Sequence, residues 1–194
     1  MMSQFVCIGV PYWLGECITD RSEVASVKSS GIADELDARW VDITPDFAVG
    51  IDPVVAVNRA LAEAITTHGD KIPIIFASDC TSALGALKGL ERHNPVVLWY
   101  DAHGDFNTPE TTLSGFLGGM PLAMLVGRGN EHLMQDVGLA PLNERDVLIT
   151  DARDLDPAEG VMLRQSNLTH LQHVNELLDV PLPQKPLYIH LDVD

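Results

Sequence analysis

An α/β architecture, with a mostly parallel sheet covered by helices, is the fold class that this sequence predicts. Short apolar runs alternate with helix-like stretches along the whole chain. Several of those runs are continuous rather than alternating, as in strands buried on both faces of a parallel sheet. At 194 residues, with 46% apolar and 21% charged residues, the chain is sized for one α/β domain spanning residues 1–194.

The elements follow in order. Residues 5–10 (FVCIGV) predict a first strand, ended by Pro11. Ser22 or Ser26 caps a helix that ends near Gly31, and residues 40–43 predict a short strand. Asp52-Pro53 supplies an N-cap and a first-turn proline for a helix that runs through Ile65 and stops near His68-Gly69. Residues 72–77 form a continuous apolar strand, and residues 81–90 a helix closed at Gly89 or at Asn94-Pro95. Residues 96–100 predict the next buried strand. Residues 108–119 are a long Thr-, Ser- and Gly-rich loop, the kind that carries function in a compact domain. A helix over 120–126, a strand over 146–150, a helix from Asp156-Pro157 to about Gln165, a helical fragment over 174–178 and a last strand over 187–193 complete the series.

The net charge of −16 repels phosphate backbones and anionic lipid surfaces, so neither nucleic acid nor membrane is an expected partner. Three cysteines, with no C-x-x-C pair, indicate neither a disulfide framework nor a structural zinc knuckle. No secretory signal and no apolar run of bilayer length are present, and the expected location is the cytoplasm.

The chemistry concentrates where strands end. After residues 96–100 come Asp101, His103 and Asp105, and alternate positions on an extended backbone point to one side. Carboxylates with an imidazole suit Mn²⁺, Zn²⁺ or Fe²⁺ better than Ca²⁺. Residues 72–77 lead to Asp79 and Cys80, and the last strand leads to Asp192 and Asp194. Ligands collect at the carboxyl ends of strands in open α/β sheets. If these strands are parallel neighbours, their clustered carboxylates repel one another unless cations neutralise them, and two divalent ions would do so. Asp79 fits a helix-capping role better than a ligand role, because it opens a helix. Cys80 taken alone reads as a small buried apolar group, and Asp192 and Asp194 alone as an exposed strand end. His190 shares a face with Asp192 and suits a partner that orients a ligand.

These motifs resemble the ureohydrolase family of arginases, agmatinases and formiminoglutamases. The likeness begins at Ile8-Gly9-Val10-Pro11. Ser78-Asp79-Cys80-Thr81 is similar to the family's G-G-D-H-S, Asp101-Ala102-His103-Gly104-Asp105 to its D-A-H-x-D, and Asp192-Val193-Asp194 to the start of its D-V-D-x-x-D-P. The resemblance implies a three-layer α/β/α fold with a binuclear manganese site, and hydrolysis of a C–N bond in a guanidino or amidine compound. Cys80, Asp101, His103, Asp105, Asp192 and Asp194 would be the metal positions, with Asp101 and Asp192 bridging two Mn²⁺ ions. Asp105 would also hold the nucleophilic hydroxide by a hydrogen bond. The loop Asn107-Thr108-Pro109-Glu110-Thr111-Thr112, followed by Ser114-Gly115, is similar to the arginase loop. By that likeness Asn107, Thr112 and Ser114 receive the substrate carboxylate, and Asp156 its α-amino group.

Three positions depart from the pattern. Cys80 replaces a histidine ligand, and a softer thiolate shifts preference toward Zn²⁺ or Fe²⁺. Gly118 replaces the histidine that arginases use as a proton shuttle, and Phe116 replaces an asparagine. A catalytically silent relative, kept as a binding or assembly module, is the alternative that these departures favour. The family pattern also continues beyond D-V-D, so by comparison the chain reads as C-terminally incomplete, with a central strand short of a neighbour. Self-association into a homo-oligomer is the expected consequence.

Overall fold

The computed structural model describes residues 4–18 and 22–193. They form two compact units, Met1–Leu90 and Glu91–Asp194. Each has a parallel sheet flanked by helices, so the class is α/β as the sequence predicts.

In the first unit β1 (Phe5–Val10) lies between β4 (Arg39–Asp42) and β5 (Ile72–Ala77), parallel to both. Ile8 sits opposite Val41 on one side and Ile75 on the other. A hairpin that the sequence did not signal, β2 (Tyr12–Trp13) and β3 (Glu16–Cys17), follows β1. Its turn places Leu14 at φ 47° and Gly15 at φ 85°. Helix α1 (Glu23–Ser29) starts at Ser22, whose hydroxyl accepts the Ala25 N–H, and α2 (Ile32–Glu35) follows Gly31.

Asp52 caps α3 (Pro53–Thr67) by accepting the Val54 N–H at 2.8 Å, as its Asp-Pro opening predicts. Val54, Leu61 and Ile65 bury its apolar face, and α3 packs on α4 (Ala83–Leu90), where Leu84 and Leu87 are buried. Asn58 pins that contact from inside: its Nδ2 donates to the Val54 carbonyl, and its Oδ1 accepts the Gly85 N–H at 2.6 Å. β5 differs from the expected strand buried on both faces. It is half-buried along its middle with Ile72 exposed, because it pairs with β1 on one side only among the described residues.

In the second unit the order is β8-β7-β6-β9, all parallel: β8 (Thr169–Leu171), β7 (Val147–Thr150), β6 (Val96–Tyr100) and β9 (Leu187–Leu191). Trp99 of β6 and Ile149 of β7 are fully buried, together with Phe106, Leu122 and Met124. Around this sheet lie α5 (Pro121–Leu125), α6 (Glu131–Val137) and α7 (Pro157–Gln165). Helix α6 and the short strand β8 carry no strong periodic signal and were not expected. Among the described residues β9 pairs with β6 alone, and its Ile189 and Leu191 are 60% and 61% exposed. Among the described residues no helix is long and apolar enough to cross a membrane.

Candidate metal centre

In the first unit β5 ends at Ala77, and a 3-10 turn spans Cys80–Ser82. Asp79 caps this turn, as its position predicts: one carboxylate oxygen accepts the Thr81 N–H at 2.8 Å and also the Thr81 hydroxyl. The other oxygen accepts the Leu14 N–H at 2.8 Å, tying the hairpin to the end of β5. Both oxygens are engaged, which fits a structural role. Cys80 begins the turn and is half-buried.

In the second unit β6 delivers Asp101 at its carboxyl end, 1% exposed. Its Oδ1 accepts the His103 N–H at 2.8 Å, and its Oδ2 faces the Trp99 Nε1 donor at 3.2 Å. Burial pushes the Asp101 carboxyl above the ordinary range. The charge of Asp192 pushes the same way, against the hydrogen bonds from His103 and Trp99.

Asp192 follows β9 and donates its N–H to the Tyr100 carbonyl at 3.0 Å, continuing the β6–β9 ladder. Each of Asp101, His190 and Asp192 offers a ligand atom within 4.8 Å of the others'. The His190 ring stacks on Trp99 with centroids 3.6 Å apart and planes 9° from parallel. Burial lowers its pKa to about 4, with Asp192 opposing, so the imidazole is neutral at neutral pH. Two carboxylates with a neutral imidazole fit a borderline divalent ion. The Nε2 atom of His190 is closed to solvent and has no hydrogen-bond partner among the described residues, a second sign that the residues fit such an ion.

The other sequence-derived positions lie around this group. His103 is half-exposed, with Nδ1 3.3 Å from Asp101 Oδ1, and it bridges to Asp154 through the backbone. Asp105 is buried, at φ 46°, and its carbonyl accepts the Ala123 N–H. Neither His103 nor Asp105 joins the compact trio. Asp194 lies outside the described residues.

Residues 107–116 form two polar pairs. Asn107, buried, donates its Nδ2 to Asp156 Oδ2 at 3.1 Å and accepts the Thr111 hydroxyl at 3.0 Å. The hydroxyls of Thr112 and Ser114 are 3.4 Å apart, and they accept the N–H groups of Gly115 and Phe116. Asn107 and Asp156 therefore meet across 49 residues, while Thr112 and Ser114 form a separate local cluster.

Glu159 belongs to none of the motifs singled out in the sequence. It is buried in the first turn of α7 and accepts the Phe106 N–H at 2.8 Å and the Asp156 N–H at 3.1 Å. Burial pushes its carboxyl upward, against those two hydrogen bonds. The spacing Asp156-x-x-Glu159 is a capping-box pattern, the signal that would have found it. Gly104 is required beside it: a Cβ there would lie 2.6 Å from Glu159 Oε1 and 2.7 Å from Leu155 Cδ2. Glu159 thus fixes the segment between Asp105 and Asn107 to the start of α7.

Comparison with known proteins finds arginases among the relatives of this chain. The chain is 34% identical over 160 residues to an arginase of Bacillus subtilis (strain 168), covering 74% of this chain and 54% of that protein. It is 35% identical over 149 residues to an N(omega)-hydroxy-L-arginine amidinohydrolase of Streptomyces lavendulae, covering 74% and 52%. The chain spans about half the length of these curated relatives. Its structure overlays a crystal structure of arginase from Bacillus subtilis with a TM-score of 0.75, at 30% identity, over 91% of this chain and 65% of that one. The arginase family model matches residues 20–194, which include the strand-end carboxylates and the loop after β6. On this match and these likenesses, the chain belongs to the arginase family.

Proposed function

We propose that this chain carries the metal-binding part of a hydrolase that cleaves a C–N bond in a small guanidino or amidine compound. The observation that carries the reading is the gathering of Asp101, Asp192 and His190 at the carboxyl ends of two adjacent parallel strands. Two Mn²⁺ ions fit the reading, and Asp101, His103, Asp105, Asp192 and Asp194 would hold them. The ions, when bound, supply charge that lowers the pKa of a water toward neutrality. The protein's own groups do the rest. Asp105 would hold the attacking water by a hydrogen bond. Asp156 and Asn107, already hydrogen-bonded to each other, receive the α-amino group and one carboxylate oxygen of an amino-acid substrate, with Thr112 and Ser114 at the other. The relatives named for arginine and hydroxyarginine hydrolysis support a guanidino substrate. The same reading makes this a cytoplasmic homo-oligomer that needs neither nucleic acid nor membrane.

The test is amine and urea release from a panel of guanidino acids, with Mn²⁺, Zn²⁺ or Fe²⁺, alongside elemental analysis. Turnover with about two ions per chain is the expected result. A metal-poor protein inactive on every member would reject the enzyme reading.

One observation favours the silent alternative. A Cβ on Gly118 would lie 2.4 Å from the Phe116 ring, so the two departures from the family pattern form one packing unit. Phe116 is 44% exposed and stands where its ring excludes a side chain at residue 118. Gly118→His must push the exposed Phe116 ring aside and is expected to cost about 0.5–1.5 kcal/mol, the worth of an off-rotamer side chain. Adding Phe116→Asn should recover most of that cost, with a coupling of at least about 0.5 kcal/mol in a double-mutant cycle. Denaturant melts of the four proteins measure it. Strict additivity would mean that the ring does not guard this space.

A further inference from the structure

We propose that His190 is itself a metal ligand, so that β9 supplies an imidazole to the ion held by Asp101 and Asp192. The inference rests on the metal-centre reading and adds a residue that the sequence motifs do not assign.

The strands set the geometry. In the β6–β9 ladder Trp99 faces His190 and Tyr100 faces Leu191, so one further step brings Asp101 opposite Asp192. Asp101 is two residues beyond Trp99, and Asp192 two beyond His190, so each pair shares one side of its strand. The outcome is two layers on one face: stacked aromatic rings below, paired carboxylates above. The stack, with centroids 3.6 Å apart and planes 9° from parallel, holds the imidazole against rotation. A ligand atom of His190 lies within 4.8 Å of one on each carboxylate, a spacing that a single ion could span.

The second observation is independent of the acidic pair. The Nε2 atom is shut off from solvent and finds no hydrogen-bond partner among the described residues. Such an orphan carries its full desolvation cost, whereas nearly all buried polar atoms find partners. Coordination at the ring, whether at this nitrogen or at the other with Nε2 freed to meet a bound water, would remove that cost. A histidine with two carboxylates is a donor set for Mn²⁺, Fe²⁺, Co²⁺ or Zn²⁺, and not for Ca²⁺.

The test titrates the metal-free full chain with Co²⁺, following visible absorption, and with Mn²⁺, following ¹⁴N coupling by electron spin-echo spectroscopy. His190→Phe keeps a ring to stack on Trp99 and removes both nitrogens; His190→Gln and Asp101→Asn accompany it. Metal-free melts and circular dichroism check folding. The expected result is a His190→Phe protein that folds as the parent does but binds Co²⁺ at least about tenfold more weakly, with an altered spectrum. Parent-like affinity and spectrum in His190→Phe, alongside loss in Asp101→Asn, would overturn the inference and leave the metal centre standing. A parent protein that takes up no Co²⁺ or Mn²⁺ would overturn both. If neither His190 variant folds, His103→Ala decides: retained nitrogen coupling supports His190, and its disappearance excludes it.

Discussion

Asp101→Asn is expected to abolish the gain in stability that Mn²⁺ confers and to lower turnover by about three orders of magnitude or more. The substitution is nearly isosteric. Its Oδ1 still accepts the His103 N–H, so the loop after β6 keeps its anchor. What disappears is the charge at the most enclosed point of the trio, opposite Asp192. An ion that binds only the folded parent stabilises it by about 2.7 kcal/mol at a concentration one hundred times its Kd. The variant should show no comparable rise in melting temperature over the same Mn²⁺ range. Its amide also opposes an N–H to the Trp99 Nε1 donor, so a modest loss of metal-free stability accompanies the change. Undiminished turnover, or a parent-like thermal shift with Mn²⁺, would show that Asp101 holds no ion.

The legible parts of this protein are those that local chemistry decides. β1, β5 and β6 occupy the residues expected of them, because each is a continuous apolar run closed by a polar or proline residue. The Asp52-Pro53 start of α3 and the Asp156-Pro157 start of α7 are equally local. The carboxylates Asp101 and Asp192 were visible as strand ends, and their meeting follows from the parallel β6–β9 pairing. Helix α6 and strand β8 were not legible: the first opens at Asn130 with φ 44°, and the second has three residues. A three-residue strand exists through its pairing with β7 rather than through its own pattern. The part played by His190 depends on a neighbour across the sheet, 91 residues away in the chain. Sequence places it beside Asp192, but only the Trp99 stack fixes the ring, and only packing seals its Nε2. The family pattern expects an imidazole where Cys80 stands, while this chain carries an imidazole two residues before Asp192.

Trp99→Ala is expected to cost about 3–5 kcal/mol, the range for emptying a buried tryptophan site. Trp99 is fully enclosed in the middle of the second unit's sheet, so the surrounding strands cannot collapse onto the void without breaking register with β7 and β9. Its loss also strips the His190 ring of its stacking partner and Asp101 of an indole donor. Trp99→Phe separates these effects. It keeps an aromatic face for His190 and most of the volume, but it removes the Nε1–H that faces Asp101 Oδ2. Stability should then fall by about 1.5–3 kcal/mol, the worth of a hydrogen bond to a charged group plus a small cavity. Metal affinity should fall by about 10–100-fold, because the donor that orients a ligating carboxylate is gone. Urea melts, with and without Mn²⁺, measure both quantities. A Trp99→Phe protein that binds Mn²⁺ as tightly as the parent would mean that the indole serves packing alone, and that Asp101 is held in place by the His103 N–H and the strand beneath it.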